Sequence, residues 1–264
     1  MYDFTYHRPS SLDDAAVAIK GAGDGTFLAG GQTLLPILKL RLANPSDVVD
    51  LGSIAELKGI TVDGDTVTIG AMTPHAEVAG SADVCAKIPA LADLAESIGD
   101  LQVRNRGTIG GSIANNDPAA DYPAAVVGLG ATVHTNARTI AADDFFTGLL
   151  ETALNDGEII TAVSFPVPDK AAYQKFGNPA SRYAIVGVML SRSSAGERVA
   201  ITGAGPCVFR QGDMERALAG SFSADAVAGV TVSADGLNSD IHASAKYRAH
   251  LVGVMAKRAV AACA

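Results

Sequence analysis

The chain has 264 residues, enough for one large domain or two modest ones around a sizeable core. Hydrophobic residues make up 48%, tryptophan is absent and the formal charge is −8, a profile that excludes disordered and fibrous chains. An acidic chain without a basic stripe binds a phosphate backbone poorly, so nucleic acid is not an expected partner.

No uninterrupted apolar run approaches the ~18 residues of a membrane span, so no transmembrane segment is expected. The opening Met1-Tyr2-Asp3-Phe4-Thr5-Tyr6 lacks the charged and apolar regions of a secretory signal, which makes the cytoplasm the expected compartment. Cys85, Cys207 and Cys263 stand far apart and form no C-x-x-C. They are expected to be plain thiols, and this chain alone should build no iron–sulfur cluster.

In chain order, Leu12, Ala15, Ala16 and Ile19 recur at helical spacing behind the candidate caps Ser10 and Ser11. The apolar run Phe27-Leu28-Ala29 then meets Gly30-Gly31. Leu34 to Leu42 reads as a helix with Pro36 tolerated in its first turn, and Pro45 stops it. Asp47 to Leu51 is strand-like, so this part reads as a small α/β unit. Ile60–Val62 and Thr66–Ile69 alternate around Asp63-Gly64, which predicts a hairpin. Helices are expected over about Pro89 to Ile98 and from near Pro123. A strand should run from Ile159 to Phe165.

Pro166-Val167-Pro168-Asp169-Lys170 is the expected boundary, dividing the chain into an α+β domain over 1–168 and a smaller α+β domain over 169–264. Beyond it, strands are expected at Ile185–Leu190 and Val199–Thr202, and helices near Asp213–Ala219 and Ala224–Gly229. A final helix should carry Tyr247, Leu251, Val254, Met255 and Ala259 on one face.

Two segments carry chemistry: Leu28-Ala29-Gly30-Gly31-Gln32-Thr33-Leu34-Leu35-Pro36, and Arg104-Asn105-Arg106-Gly107-Thr108-Ile109-Gly110-Gly111-Ser112-Ile113-Ala114-Asn115. A pyrophosphate needs convergent donors, and consecutive backbone N–H groups supply them where no Cβ blocks the approach. Thr33, Thr108 and Ser112 add hydroxyls. Taken singly, either Gly-Gly reads more readily as a tight turn, and neither segment spells a Rossmann or P-loop motif. His7, His75, His134, His242 and His250 form no metal-ligand spacing, and no G-x-S-x-G elbow is present.

Together, A-G-G-Q-T-L-L-P-I-L-K-L-R-L-A and R-N-R-G-T-I-G-G-S-I-A-N-N-D-P-A-A-D-Y-P-A resemble the two FAD-binding signatures of the flavin subunit in the xanthine dehydrogenase/carbon monoxide dehydrogenase family. Tyr173-Gln174-Lys175-Phe176 and Pro179-Ala180-Ser181-Arg182-Tyr183-Ala184 resemble that subunit's second domain. The resemblance implies a vanillyl-alcohol-oxidase-type FAD domain in two subdomains, about 1–55 and 56–168. A smaller C-terminal domain of antiparallel sheet and helices would follow.

The resemblance also implies the site. Ala29, Gly30, Gly31, Gln32, Thr33 and Leu34 would hold the pyrophosphate from one side, and Thr108, Ile109, Gly110, Gly111 and Ser112 from the other. Asn115 and Asp121 match FAD-contacting positions, although Asp121 reads equally as a helix N-cap before Tyr122-Pro123. Ile160 falls where the family places a backbone contact to the isoalloxazine. Lys175 falls near a flavin-contacting lysine, with a surface lysine as the alternative. Tyr183 matches an aromatic that lies over the flavin, with a packed tyrosine as the alternative.

By the same analogy FAD is non-covalent, with no His or Cys inside either segment. Molybdopterin and 2Fe–2S clusters belong to a large molybdenum subunit and a small iron–sulfur subunit of a heterotrimer, itself open to dimerisation. The chain would take electrons from the clusters and pass them to an external acceptor. A self-sufficient FAD-dependent oxidoreductase and a flavin-free assembly paralogue are the competing readings.

Overall fold

The computed structural model describes residues 1–263. The chain begins in a three-stranded parallel sheet with Asp47–Asp50 at its centre, Thr5–His7 on one side and Gly25–Leu28 on the other. Parallel strands need a crossover, and the helix Leu12–Gly21 carries the chain between the two outer strands. Ser11 is the cap that forms, its Oγ accepting from the Asp14 N–H at 3.1 Å. Asp13 and Asp14 lie in the first turn, where the helix dipole favours negative charge. Ala15 is buried with Val49, Leu51, Ile54, Leu57, Met72 and Ile159 in a small core.

The helix expected over Leu34–Leu42 ends at Lys39. Arg41 turns left-handed at φ 57°, and Leu40 and Leu42 remain in solvent. The apolar spacing that predicts more helix finds nothing to bury against.

A five-stranded antiparallel sheet follows, in the order Ile60–Asp63, Thr66–Gly70, Ile160–Pro166, Thr132–Thr135, Thr139–Ala141. The expected hairpin forms, with Gly64 supplying φ 56°. Val67, Ile69, Val133, Val163 and Phe165 share one core with the helices Pro89–Glu96 and Tyr122–Gly128. Every residue of Tyr122–Gly128 is buried, because the helix is covered from two sides. One side belongs to this core, which also includes Met189, 2.6 Å from where a Cβ at Gly128 would lie; on the other, Val127 packs with Ala200 and Val208.

Met189 belongs to a four-stranded antiparallel sheet formed by Lys170–Gly177, Ala184–Ser193, Gly196–Thr202 and Phe209–Arg210. Ala184 to Ser191 are buried without alternation, since helix Ala245–Ala262 covers one face and Tyr122–Gly128 the other. Leu251, Met255 and Ala259 of the last helix enter the core as expected, whereas Tyr247 of the same predicted face is exposed. The α+β class holds. Sequence patterning missed the strand Lys170–Gly177, whose K-A-A-Y-Q-K-F-G carries no β-branched residue and gains its extended form from pairing with Ala184–Ser193.

Candidate cofactor site

Both glycine segments line a single cavity of about 610 Å³, within the size range of small-molecule and cofactor sites. The first segment follows the strand Gly25–Leu28, and Gly31 takes φ 74°, a conformation glycine adopts without a Cβ penalty. The N–H groups of Gly30, Gly31, Gln32, Thr33 and Leu34 donate to no acceptor among the described residues; the first return bond is Leu35 N–H to Gly31 O at 3.2 Å. Consecutive open amides of this kind make an anion-binding concavity. A Cβ at Gly30 would lie 2.1 Å from Arg106 O and 2.8 Å from Gly107 Cα. The two segments therefore touch backbone to backbone.

The second segment is not a loop of free donors. Thr108 caps the helix Ile109–Asn115, its Oγ1 accepting from Gly111 N–H at 3.2 Å. Ile109 N–H donates to Thr73 O at 3.3 Å and Gly110 N–H to Ala71 O at 2.8 Å. Its glycines supply space instead: a Cβ at Gly110 would meet Ala71 Cβ at 2.6 Å, and one at Gly111 would meet Ala29 Cβ at 3.2 Å. Thr108, Gly110, Gly111, Ser112 and Asn115 line the cavity, while the Ile109 side chain points into the core.

Asp121 lines the cavity and is 4% exposed. It sits at the N-cap position of Tyr122–Gly128 but makes no side-chain cap bond. Its carboxylate instead accepts from Tyr173 Oη at 2.5 Å, and Lys175 Nζ lies 3.0 and 3.1 Å from its two oxygens. Burial raises its pKa, and Lys175 and the two hydrogen bonds work against that rise. Lys175 also donates to Ser97 O at 2.9 Å and does not itself line the cavity; it stands behind Asp121.

Ile160 lines the wall at the start of its strand, just before a register shift. Its neighbour Glu158 is locked by Arg138 at 3.0 Å, by Thr135 Oγ1 at 2.7 Å, and by the Asn155 backbone and amide at 2.9 Å. Chiefly through the Arg138 hydrogen bond, these contacts lower its pKa to about 2. Tyr183 is 47% exposed at the cavity edge, and burial followed by Asp117 and Asp121 raises its phenol pKa. The preceding Arg182, at φ 63°, donates from Nη1 to Gly99 O at 2.9 Å and ties this loop to the loop that follows helix Pro89–Glu96.

The cavity thus gathers every expected residue except Ile109 and Lys175. Among the residues it adds are four titratable side chains that sequence reasoning missed: His75, Asp117, Glu158 and Arg182. Single polar residues scattered along a chain carry no spacing signal, and only folding juxtaposes them.

Fold and cavity suit a phosphate-bearing cofactor, with backbone donors rather than lysine lining the wall. The residues fit FAD: the open amides suit its pyrophosphate, and the Gly30 contact leaves no room for a Cβ. No group of three or more metal-ligating side chains occurs among the described residues. The family model described as "FAD binding domain in molybdopterin dehydrogenase" matches residues 2–168. The carbon monoxide dehydrogenase medium chain of Hydrogenophaga pseudoflava is 36% identical, over 97% of this chain and 96% of that one. The nicotine 6-hydroxylase medium subunit of Paenarthrobacter nicotinovorans is 36% identical, over 97% and 95%. A solved CO dehydrogenase from Oligotropha carboxidovorans superposes with TM-score 0.91 at 35% identity, over 99% and 97%. The chain belongs to the FAD-binding-domain family of the molybdopterin dehydrogenases, as an oxidoreductase subunit.

Proposed function

We propose that the chain is the FAD-carrying electron-transfer subunit of a cytoplasmic molybdenum hydroxylase. It works with a large molybdenum subunit and a small subunit holding 2Fe–2S clusters, takes electrons from those clusters and passes them to an external acceptor. FAD, when bound, supplies the redox chemistry between the two. The observation that carries this reading is the run of open amides from Gly30 to Leu34 beside the backbone contact of Gly30 with Arg106-Gly107. Its support on the partner side is that the relatives are themselves named medium chains and medium subunits.

In this reading the chain divides at about 168, with the cofactor held mainly by the first part. The Ala29–Leu34 segment holds the pyrophosphate non-covalently. Thr108 and Ser112 contribute hydroxyls, and Gly110 and Gly111 let the backbone approach. Asn115 and Asp121, which line the cavity, contact the FAD. The Ile160 backbone contacts the isoalloxazine, and Tyr183 covers it. Lys175 acts through Asp121 by fixing where that carboxylate points.

Acid precipitation of the purified chain tests the cofactor: a yellow supernatant containing about one FAD per chain is expected. FMN in the supernatant, or colour left on the polypeptide, overturns it. Native purification should recover one large and one small partner. A flavin-loaded chain that purifies alone and turns over its own substrate would favour a self-sufficient oxidoreductase.

A further inference from the structure

One side chain outside both glycine segments extends the FAD reading, and the inference about it rests on that reading. His75 opens the helix His75–Gly80 and is 4% exposed. Its backbone N–H donates to Gly107 O at 2.9 Å, and the preceding Pro74 bridges to Thr108. The imidazole is therefore pinned where the two segments meet. Gly30 stands against Gly107 on one side, and a Cβ on Gly107 would come within 2.6 Å of His75 Nε2 on the other.

The ring packs on Tyr122 with centroids 5.2 Å apart. Nδ1 is sealed from solvent and has no partner among the described residues. The ring nevertheless lines the cavity, so the edge that reaches it is the Nε2 edge. Burial, reinforced by the charge of Arg104, holds the ring pKa down to about 4, so at pH 7 it is neutral and carries one N–H. Arg104 itself is held by Glu96 and by the carbonyls of Ile98 and Gly99. A polar edge in a buried wall is costly unless a ligand or water satisfies it. What the cavity offers beside it is the run of open amides, which already selects an anion. Among the described lining residues the cationic side chain is Arg182, which uses one Nη1 donor on Gly99 O.

We propose that His75 is a further phosphate-holding residue of this site, its Nε2–H donating to a non-bridging oxygen of the pyrophosphate beside Gly30–Leu34. The proton sits on Nε2 in the bound state, and Tyr122 and Gly107 fix the ring plane. Position follows from packing and the tautomer from the accepting phosphate oxygen, so the residue contributes without a change of charge.

ADP and adenosine are the probes, because they differ by the diphosphate alone. In calorimetric titrations of flavin-free full-length chain, His75→Leu should weaken ADP roughly tenfold and leave adenosine unchanged. His75→Gln, which returns an N–H, should recover most of the loss. Equal losses for both ligands, or unchanged ADP affinity in both variants, overturn the proposal. Should His75→Leu fail to fold, the ring nitrogen signals of the wild-type histidine decide by NMR. A shift of Nε2 with ADP and none with adenosine supports the proposal, and no shift with ADP overturns it. FAD bound in the purified protein together with an unresponsive His75 defeats this inference alone. A wild-type chain that binds neither FAD nor ADP defeats both this inference and its parent reading.

Discussion

Gly30-Gly31 and Gly110-Gly111 are spelled alike and line one cavity, yet they do different physical work. In the first pair the amides stand open and one glycine bends left-handed. In the second pair both amides are already bonded, one to Ala71 O and one to the Thr108 hydroxyl. Those glycines form the first turn of a helix pressed against Ala71 and Ala29, so they matter for what they leave out. A glycine pair in a sequence thus marks close approach of something. Whether that is a ligand or another stretch of backbone depends on where the amides point.

Substitutions separate the two roles. Gly30→Val has the largest expected effect, since the new Cβ would lie 2.1 Å from a backbone oxygen that cannot swing aside. Loss of ~3 kcal/mol or more and of all flavin is expected, measured by urea unfolding and by the flavin-to-protein ratio. A Gly30→Val protein that keeps FAD would break the claim that the segments meet there. Gly110→Val comes next, losing ~1–3 kcal/mol from the clash with Ala71. Gly111→Ala should shift stability by no more than ~1 kcal/mol, because better helix propensity offsets a tight contact. Its FAD affinity should nonetheless fall several-fold as the Ala29 side is pushed away. Should both variants unfold alike, the distinction between fold-keeping and ligand-keeping glycines in this helix fails.

The wall at Glu158 is held by charge, and its signature is in pH. Its carboxyl is lowered from an ordinary 4.5 to about 2, so the folded state binds its proton more weakly than the unfolded chain does. The resulting stability is fully present above pH 4.5 and is lost as pH falls through about 2. Melting temperatures over that range should therefore drop more steeply for wild type than for Glu158→Gln. Parallel slopes would show that Arg138 contributes nothing there. The smallest effect belongs to Tyr183→Ala at the half-exposed edge. Stability should scarcely move, FAD should weaken by ~0.5–1.5 kcal/mol, and flavin fluorescence should rise. A large stability loss without a fluorescence change would make Tyr183 a packing residue.

Local chemistry made much of this protein readable from its residues. Ser11 before Leu12, Asp63-Gly64 between alternating runs, and Pro89 opening a helix are decided within a few neighbours, and the structure has each of them. The two glycine segments and Asp121 were legible as a site because their spelling resembles a known family's signatures. Tertiary structure alone decided what depends on partners far along the chain. Lys170–Gly177 becomes a strand because Ala184–Ser193 offers it a ladder. Lys175 turns to Asp121 because Ser97 and Tyr173 converge on the same buried spot. The amides of Ile109 and Gly110, at the start of a helix, are already satisfied because Thr73 and Ala71 present carbonyls to them. His75 acquires a role from Gly107, Tyr122 and Arg104, which no spacing along the sequence announces. Caps and turns are settled by contacts a few residues apart, whereas buried charges and shared backbone donors are settled by whatever else the fold brings to the same place.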